Sequence, residues 1–252
     1  MVMRLSFPSA TLAFGVVSEM GGGHAMTSYG WTYEIDPHDL IPGGAHTYSR
    51  GDDTFPDNAP KMLVKGKGAK VWASDGRTYL DWGMGLRSVS LGYANRHVDA
   101  AVRGAIRSGV NLTRRVPEEI ALARKISQLI PSAQMVKFGK NGSDATAAAV
   151  RLARSATGRD IVLRSAEPDF MGIHDWFIGS TVMSRGVPKA VRDLTVSFEY
   201  GSLESLEKQL KAHGGQVAAV ALEPLGAVST DGSYLKSLIA LTHEHGALVI
   251  FD

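Results

Sequence analysis

From His97 to Phe251 short apolar runs alternate with amphipathic stretches, and this alternation restricts the chain more than any other feature. Val98, Ala101, Val102 and Ala105 share a helical face that ends near Gly109. Pro117-Glu118-Glu119 opens a second helix, with proline at its first position and acids in its first turn; Ile120, Ala123, Ile126 and Leu129-Ile130 form its apolar face and Pro131 closes it. Met135–Phe138, Ile161–Leu163, Leu194–Phe198, Val217–Leu222 and Ala247–Phe251 read as strands. Residues 145–156, the run Leu203/Leu206/Leu210 and the run Leu235/Leu238/Ile239/Thr242 read as the helices between them. Apolar strands separated by amphipathic helices predict an α/β fold, a mainly parallel sheet with helices on both faces.

The first third has a different texture. Residues 29–58 are rich in Gly, Pro, Asp and Thr without a sustained period and predict an irregular segment. Lys70–Ala73 and Arg77–Trp82 flank Asp75-Gly76, a dipeptide suited to a tight β-hairpin. The domains expected are thus a disordered extension over 1–28, an N-terminal segment with a hairpin over 29–95, and a large domain over 96–252. The extension is a poor signal peptide, because Pro8 interrupts its short apolar core, and Met26 stands nearer the expected start. The sequence stops at Asp252, directly after an apolar strand, so the large domain is expected to be incomplete.

Composition narrows the function. Formal net charge is +2 with both signs interspersed, without a basic block, which argues against nucleic-acid binding. With no cysteine there are neither disulfides nor thiolate metal sites, a composition that fits the cytoplasm. No apolar run is long enough to span a membrane as a helix. His243 and His245 are two apart on a helix, face different ways and make no metal pair; no metal is expected.

Ligands of parallel sheets bind beyond the carboxyl ends of the strands. Four features fall there: the turn Asn141-Gly142-Ser143, the loop with Phe170, Glu223-Pro224, and Asp252. A glycine-containing turn that feeds a helix offers unpaired N–H groups to a phosphate; equally, Asn141 or Ser143 simply caps that helix. A phosphate site, an aromatic ring and a strand-end carboxylate together suit a flat, phosphorylated heteroaromatic cofactor. An aspartate beside a ring nitrogen is what pyridoxal 5'-phosphate requires.

In this order the motifs resemble the class III pyridoxal-phosphate-dependent aminotransferases, and within them the glutamate-1-semialdehyde 2,1-aminomutase-like branch. The resemblance runs from Pro42-Gly43-Gly44 through Arg50, the hairpin, the phosphate loop Lys140–Ala145, Arg151-Leu152-Ala153-Arg154 with Thr157-Gly158-Arg159-Asp160, Phe170-Met171-Gly172, Leu222-Glu223-Pro224 and Leu248–Asp252. It implies the fold-type I architecture, pyridoxal 5'-phosphate as cofactor, a small-molecule amino or carbonyl substrate and a homodimer. It also implies that Asn141, Gly142 and Ser143 hold the phosphate, that Phe170 and Gly172 cover the ring with Glu223 beside it, and that Asp252 partners the pyridinium. Arg50 would bind a substrate carboxylate, and Arg87 is a second candidate. The Schiff-base lysine of the family lies downstream of the residue matched by Asp252 and so outside this sequence.

Departures bear on the substrate. Phe170-Met171-Gly172 replaces Tyr-His-Gly, and Leu86-Arg87-Ser88 stands where the aminomutases have Trp-Gly-Pro. Two alternatives to the aminomutase therefore stay open: an aminotransferase with an external amino donor, and a non-catalytic fragment. Individual residues keep plainer readings too: Asp252 as a solvated chain end, Arg50 as a surface residue, Arg87 in a structural salt bridge, Phe170 as core, Glu223 as a strand end, and His174-Asp175-Trp176 as loop structure.

Overall fold

The computed structural model describes residues 36–166, 169–225 and 232–252. The extension expected over 1–28 lies outside them. The chain forms two compact units that divide between Thr113 and Arg114, whereas the sequence boundary stands at 95/96: the helix of residues 96–107 groups with the first unit.

The first unit starts with α1 (Pro37–Leu40), capped by the Asp36 side chain, and 3-10 turns at Tyr48–Arg50 and Asp52–Thr54. A three-stranded antiparallel sheet follows, β1 (Leu63–Lys67), β2 (Lys70–Ala73) and β3 (Thr78–Leu80), in that spatial order. At the predicted hairpin Gly76 takes φ +84°, and the Asp75 carboxylate accepts bonds from Arg77 N (3.0 Å) and Nε (2.7 Å). β1 carries little sequence signal, since Leu63 and Val64 are its only apolar residues; register with β2, from Leu63 against Ala73 to Lys67 against Lys70, makes it a strand. α2 (Arg96–Arg107) starts where Asn95 Oδ1 accepts from His97 N and Val98 N.

The second unit holds α3 (Pro117–Leu129), α4 (Gly142–Thr157), β4 (Ile161–Ser165), α5 (Asp175–Ile178), α6 (Lys189–Arg192), β5 (Thr195–Phe198), α7 (Leu203–Ala212), β6 (Val217–Leu222), α8 (Gly232–Glu244) and β7 (Leu248–Phe251). The strands form one sheet in the order β5-β4-β6-β7, every neighbouring pair parallel. Side chains alternate across it. Leu163, Phe198, Val220 and Leu222 pack with Leu206 and Leu210 of α7 and Leu238 of α8. Val162 and Ala221 pack on the other face with Val150 of α4, Met171, Trp176 and Phe177. The parallel sheet covered on both faces is therefore present. α4 is bounded by Asn141 at its N-cap and by Gly158, at φ +67°, after its last turn. Arg159 then binds the carbonyls of Val217 (3.1 Å) and His245 (2.7 Å), tying the start of β4 to those of β6 and β7.

Two elements differ from expectation. Met135–Phe138 forms no strand; Met135 is 93% exposed, and among the described residues no strand lies alongside to complete a ladder. β7 is an edge rather than a buried strand, paired to β6 alone among the described residues, with Leu248 and Phe251 exposed.

Leu206→Ala should lower stability to urea by about 2–5 kcal/mol through loss of burial and the cavity left behind. Leu152→Ala, on the outer face of α4 with 69% exposure, should shift it by under about 0.5 kcal/mol. Equal losses at the two positions would contradict the packing.

Candidate functional site

The carboxyl ends of β4, β6 and β7 and the N-terminus of α4 carry the candidate residues of the second unit. α4 opens on Asn141, whose side chain accepts from Asp144 N at 3.0 Å, so the capping reading of Asn141 holds. The cap leaves the N–H groups of Gly142 and Ser143 without an acceptor among the described residues. Both sit at the positive end of a 16-residue helix. A Cβ placed on Gly142 would meet nothing within 4 Å, so the backbone there is open to a ligand.

The loop after β4 is tied to this helix end. Ser143 Oγ accepts from Ile173 N at 3.2 Å. Thr146 Oγ1 donates to the carbonyl of Met171 at 2.5 Å, and His174 Nε2 lies 3.3 Å from Asp144 Oδ1. Gly172, at φ +138°, passes so close that a Cβ would stand 3.0 Å from Ser143 Cα. Met171 is buried at 2% exposure and anchors the loop, which turns Phe170 outward at 61% exposure. Phe170 is thus not core; it meets Phe177 in a T-shaped pair, with centroids 6.0 Å apart at 84°. Phe177 lies in turn beneath the guanidinium of Arg164, 5.3 Å from its centroid.

Carboxylates gather at the same rim. Asp252 N donates to Leu222 O at 3.0 Å, extending β7 by one residue beside Glu223. The turn after Glu223 is held by the Tyr200 hydroxyl, which donates to Pro224 O at 3.0 Å. Burial pushes the Asp252 carboxyl above the usual carboxylate range, and the charges of Glu223 and Asp169 push it further. Asp169 itself is bonded by Ser165 Oγ. Among the described residues no group of three or more His, Cys, Asp or Glu is placed to hold a metal ion.

Sequence reasoning missed Thr146 and Asp169. Thr146 lies three residues after Ser143, on the helical face that Ser143 shares, and Asp169 directly precedes Phe170; neither spacing says what it meets. The two arginine candidates lie on the first unit. Arg50 lines a cavity of about 700 Å³ with Asp81, Leu86 and Tyr93. Asp81 accepts from Tyr93 Oη (2.6 Å), Gly83 N (2.9 Å) and Gly85 N (3.4 Å); the tyrosine bond first of all holds its carboxyl below the usual range. The loop it anchors keeps Met84, Gly85, Leu86 and Arg87 all at positive φ, +46° to +69°. Arg87 is exposed and forms no ion pair with a described residue, so no salt bridge accounts for it.

A raised carboxyl binds its proton more tightly folded than unfolded, so it favours folding below the ordinary value of 3.8 and opposes it as pH rises through the folded value. Asp252→Asn should therefore melt higher than the parent at pH 7, and the gain should disappear in melts below the ordinary carboxylate range. A gain independent of pH would refute the electrostatic cause. Gly172→Ala, forced against Ser143, should melt lower than the parent.

The sequence profile of the Aminotransferase class-III family matches residues 54–252. Glutamate-1-semialdehyde 2,1-aminomutase of Roseiflexus castenholzii is 36% identical over 226 residues, covering 84% of this chain and 52% of the relative. The enzyme of the same name from Aquifex aeolicus is 32% identical over 226 residues, covering 84% and 53%. Among solved structures, the FumI protein of Sphingopyxis sp. MTA144, in its PLP internal aldimine form, superposes with a TM-score of 0.78 at 27% identity, covering 86% of this chain and 52% of that one. The chain spans about half the length of the curated relatives it matches. The match over residues 54–252 shows that the chain belongs to the class III aminotransferases.

Proposed function

We propose that the protein binds pyridoxal 5'-phosphate and serves PLP-dependent amino-group transfer of the glutamate-1-semialdehyde 2,1-aminomutase kind, converting glutamate semialdehyde to 5-aminolevulinate. The observation that carries the proposal is the pairing, at one rim of one sheet, of free donors on α4 with a crowded carboxylate after β7. The residues fit the cofactor chemically. The N–H groups of Gly142 and Ser143, with the Ser143 hydroxyl, offer donors to a phosphate, and Asn141 holds the turn that presents them. Phe170 offers an exposed ring, and Gly172 keeps the loop against Ser143. Asp252 and Glu223 supply negative charge that a protonated ring nitrogen would relieve, so Asp252 would hold the proton on that nitrogen. When bound, the ring supplies an electron sink for carbanion chemistry. On the first unit Arg50 would hold a substrate carboxylate.

A second reading, an aminotransferase using an external amino donor, is favoured by Arg87. It occupies φ +69° where the aminomutase motif has glycine, and a charged side chain kept at a strained position suggests a changed substrate contact. We place the protein in the cytoplasm as a homodimer acting on small amino and carbonyl compounds.

Titration with pyridoxal 5'-phosphate, followed by absorbance and tryptophan fluorescence, tests the cofactor site. Ser143→Ala and Asp252→Asn should each raise the Kd about tenfold or more, the cost of a charge-assisted bond. Unchanged affinity in both would sink the assignment. Turnover of the semialdehyde without any added amino donor would support the aminomutase over the aminotransferase; cofactor binding without turnover under either condition would support the non-catalytic reading.

A further inference from the structure

The arginine motif Arg151-Leu152-Ala153-Arg154 is only partly explained by the fold. Arg154 donates Nε to Asp160 O at 2.8 Å, its terminal nitrogens meet no acceptor among the described residues, and Arg151 makes no hydrogen bond or ion pair with a described residue. Both line a cavity of about 530 Å³ between α4 and the segment Ile173–Trp176. Trp176 forms part of its wall. This residue is 7% exposed, and its indole N–H, shut off from solvent, finds no acceptor among the described residues. A buried donor left unpaired is costly, so the wall lacks an acceptor. Of the other charged groups there, His174 is turned to Asp144, and Asp175 places one carboxylate at the N-terminal end of α5. Two arginines and one acid that has no ion pair with a described residue thus line the cavity, with the buried indole of Trp176 in its wall.

We propose that this cavity is a second binding site, for a small oxyanion: a carboxylate or phosphate group held by Arg151 and Arg154, with Trp176 at its inner wall. Arginine forks match the planar or tetrahedral oxygens of such groups. The site is separate from the turn at Gly142-Ser143 and does not depend on the cofactor reading.

The four tryptophans of the chain make a direct test possible. With 15N-labelled indoles, and the Trp176 signal identified by its loss in Trp176→Phe, the protein without cofactor is titrated separately with inorganic phosphate and with glutarate. The Trp176 signal should shift saturably. Arg151→Gln, which breaks no hydrogen bond or ion pair with a described residue, should raise the half-saturation concentration about tenfold, while Leu152→Ala, 69% exposed and not lining the cavity, leaves it unchanged. Saturation at lower phosphate than glutarate assigns a phosphorylated ligand, and the reverse order a carboxylic acid. A Trp176 signal unmoved by both anions, or moved equally in Arg151→Gln, overturns the site and leaves an adventitious ion only.

Discussion

The contact on which the candidate site depends is the seam between the first turn of α4 and the loop after β4. Three bonds close it, from Thr146 to Met171, from Ile173 to Ser143 and between His174 and Asp144. The seam exists because Gly172 has no side chain where Ser143 approaches. It also explains why Met171 and Phe170, adjacent in sequence, have opposite fates. The buried Met171 joins the core under α4, and this anchoring leaves Phe170 exposed in a T-shaped pair with Phe177. An exposed aromatic ring is thereby presented in the loop tied to the helix end.

Parallel register supplies the second half of the site. Because β4, β6 and β7 run the same way, whatever follows each strand arrives at one rim. Asp169, Glu223 and Asp252 come together there despite separations of tens of residues. Burial first, and then the like charges of Glu223 and Asp169, displace the Asp252 carboxyl upward. The first unit answers a similar problem differently: Asp81 is surrounded by three donors, its carboxyl moves down, and a left-handed loop is held beside Arg50.

Much of this was legible in the residues, and the parts that were not have a common cause. The turn at Asn141-Gly142-Ser143, the hairpin at Asp75-Gly76 and the alternation of strands with helices are local signals, each written within a few residues. β1 was not legible, because Leu63–Lys67 becomes a strand only by pairing with β2. Met135–Phe138 shows the converse, an apolar run with no neighbour among the described residues to pair with. Capping and ligand binding at Asn141-Gly142-Ser143 are compatible, since the Asn141 carboxamide caps Asp144 while the two preceding N–H groups have no acceptor among the described residues.

Periodicity and turn chemistry by themselves determined the α/β class, the parallel sheet and most of its elements, because each depends on residues near one another in the chain; the family rested on the ordered set of motifs. Tertiary structure alone decided that Thr146 ties a helix to a loop, that Glu223 and Asp169 come near Asp252, and that Trp176 is buried with no acceptor for its indole N–H among the described residues. Those outcomes depend on distances between residues far apart in sequence, and such distances are set by packing across the sheet.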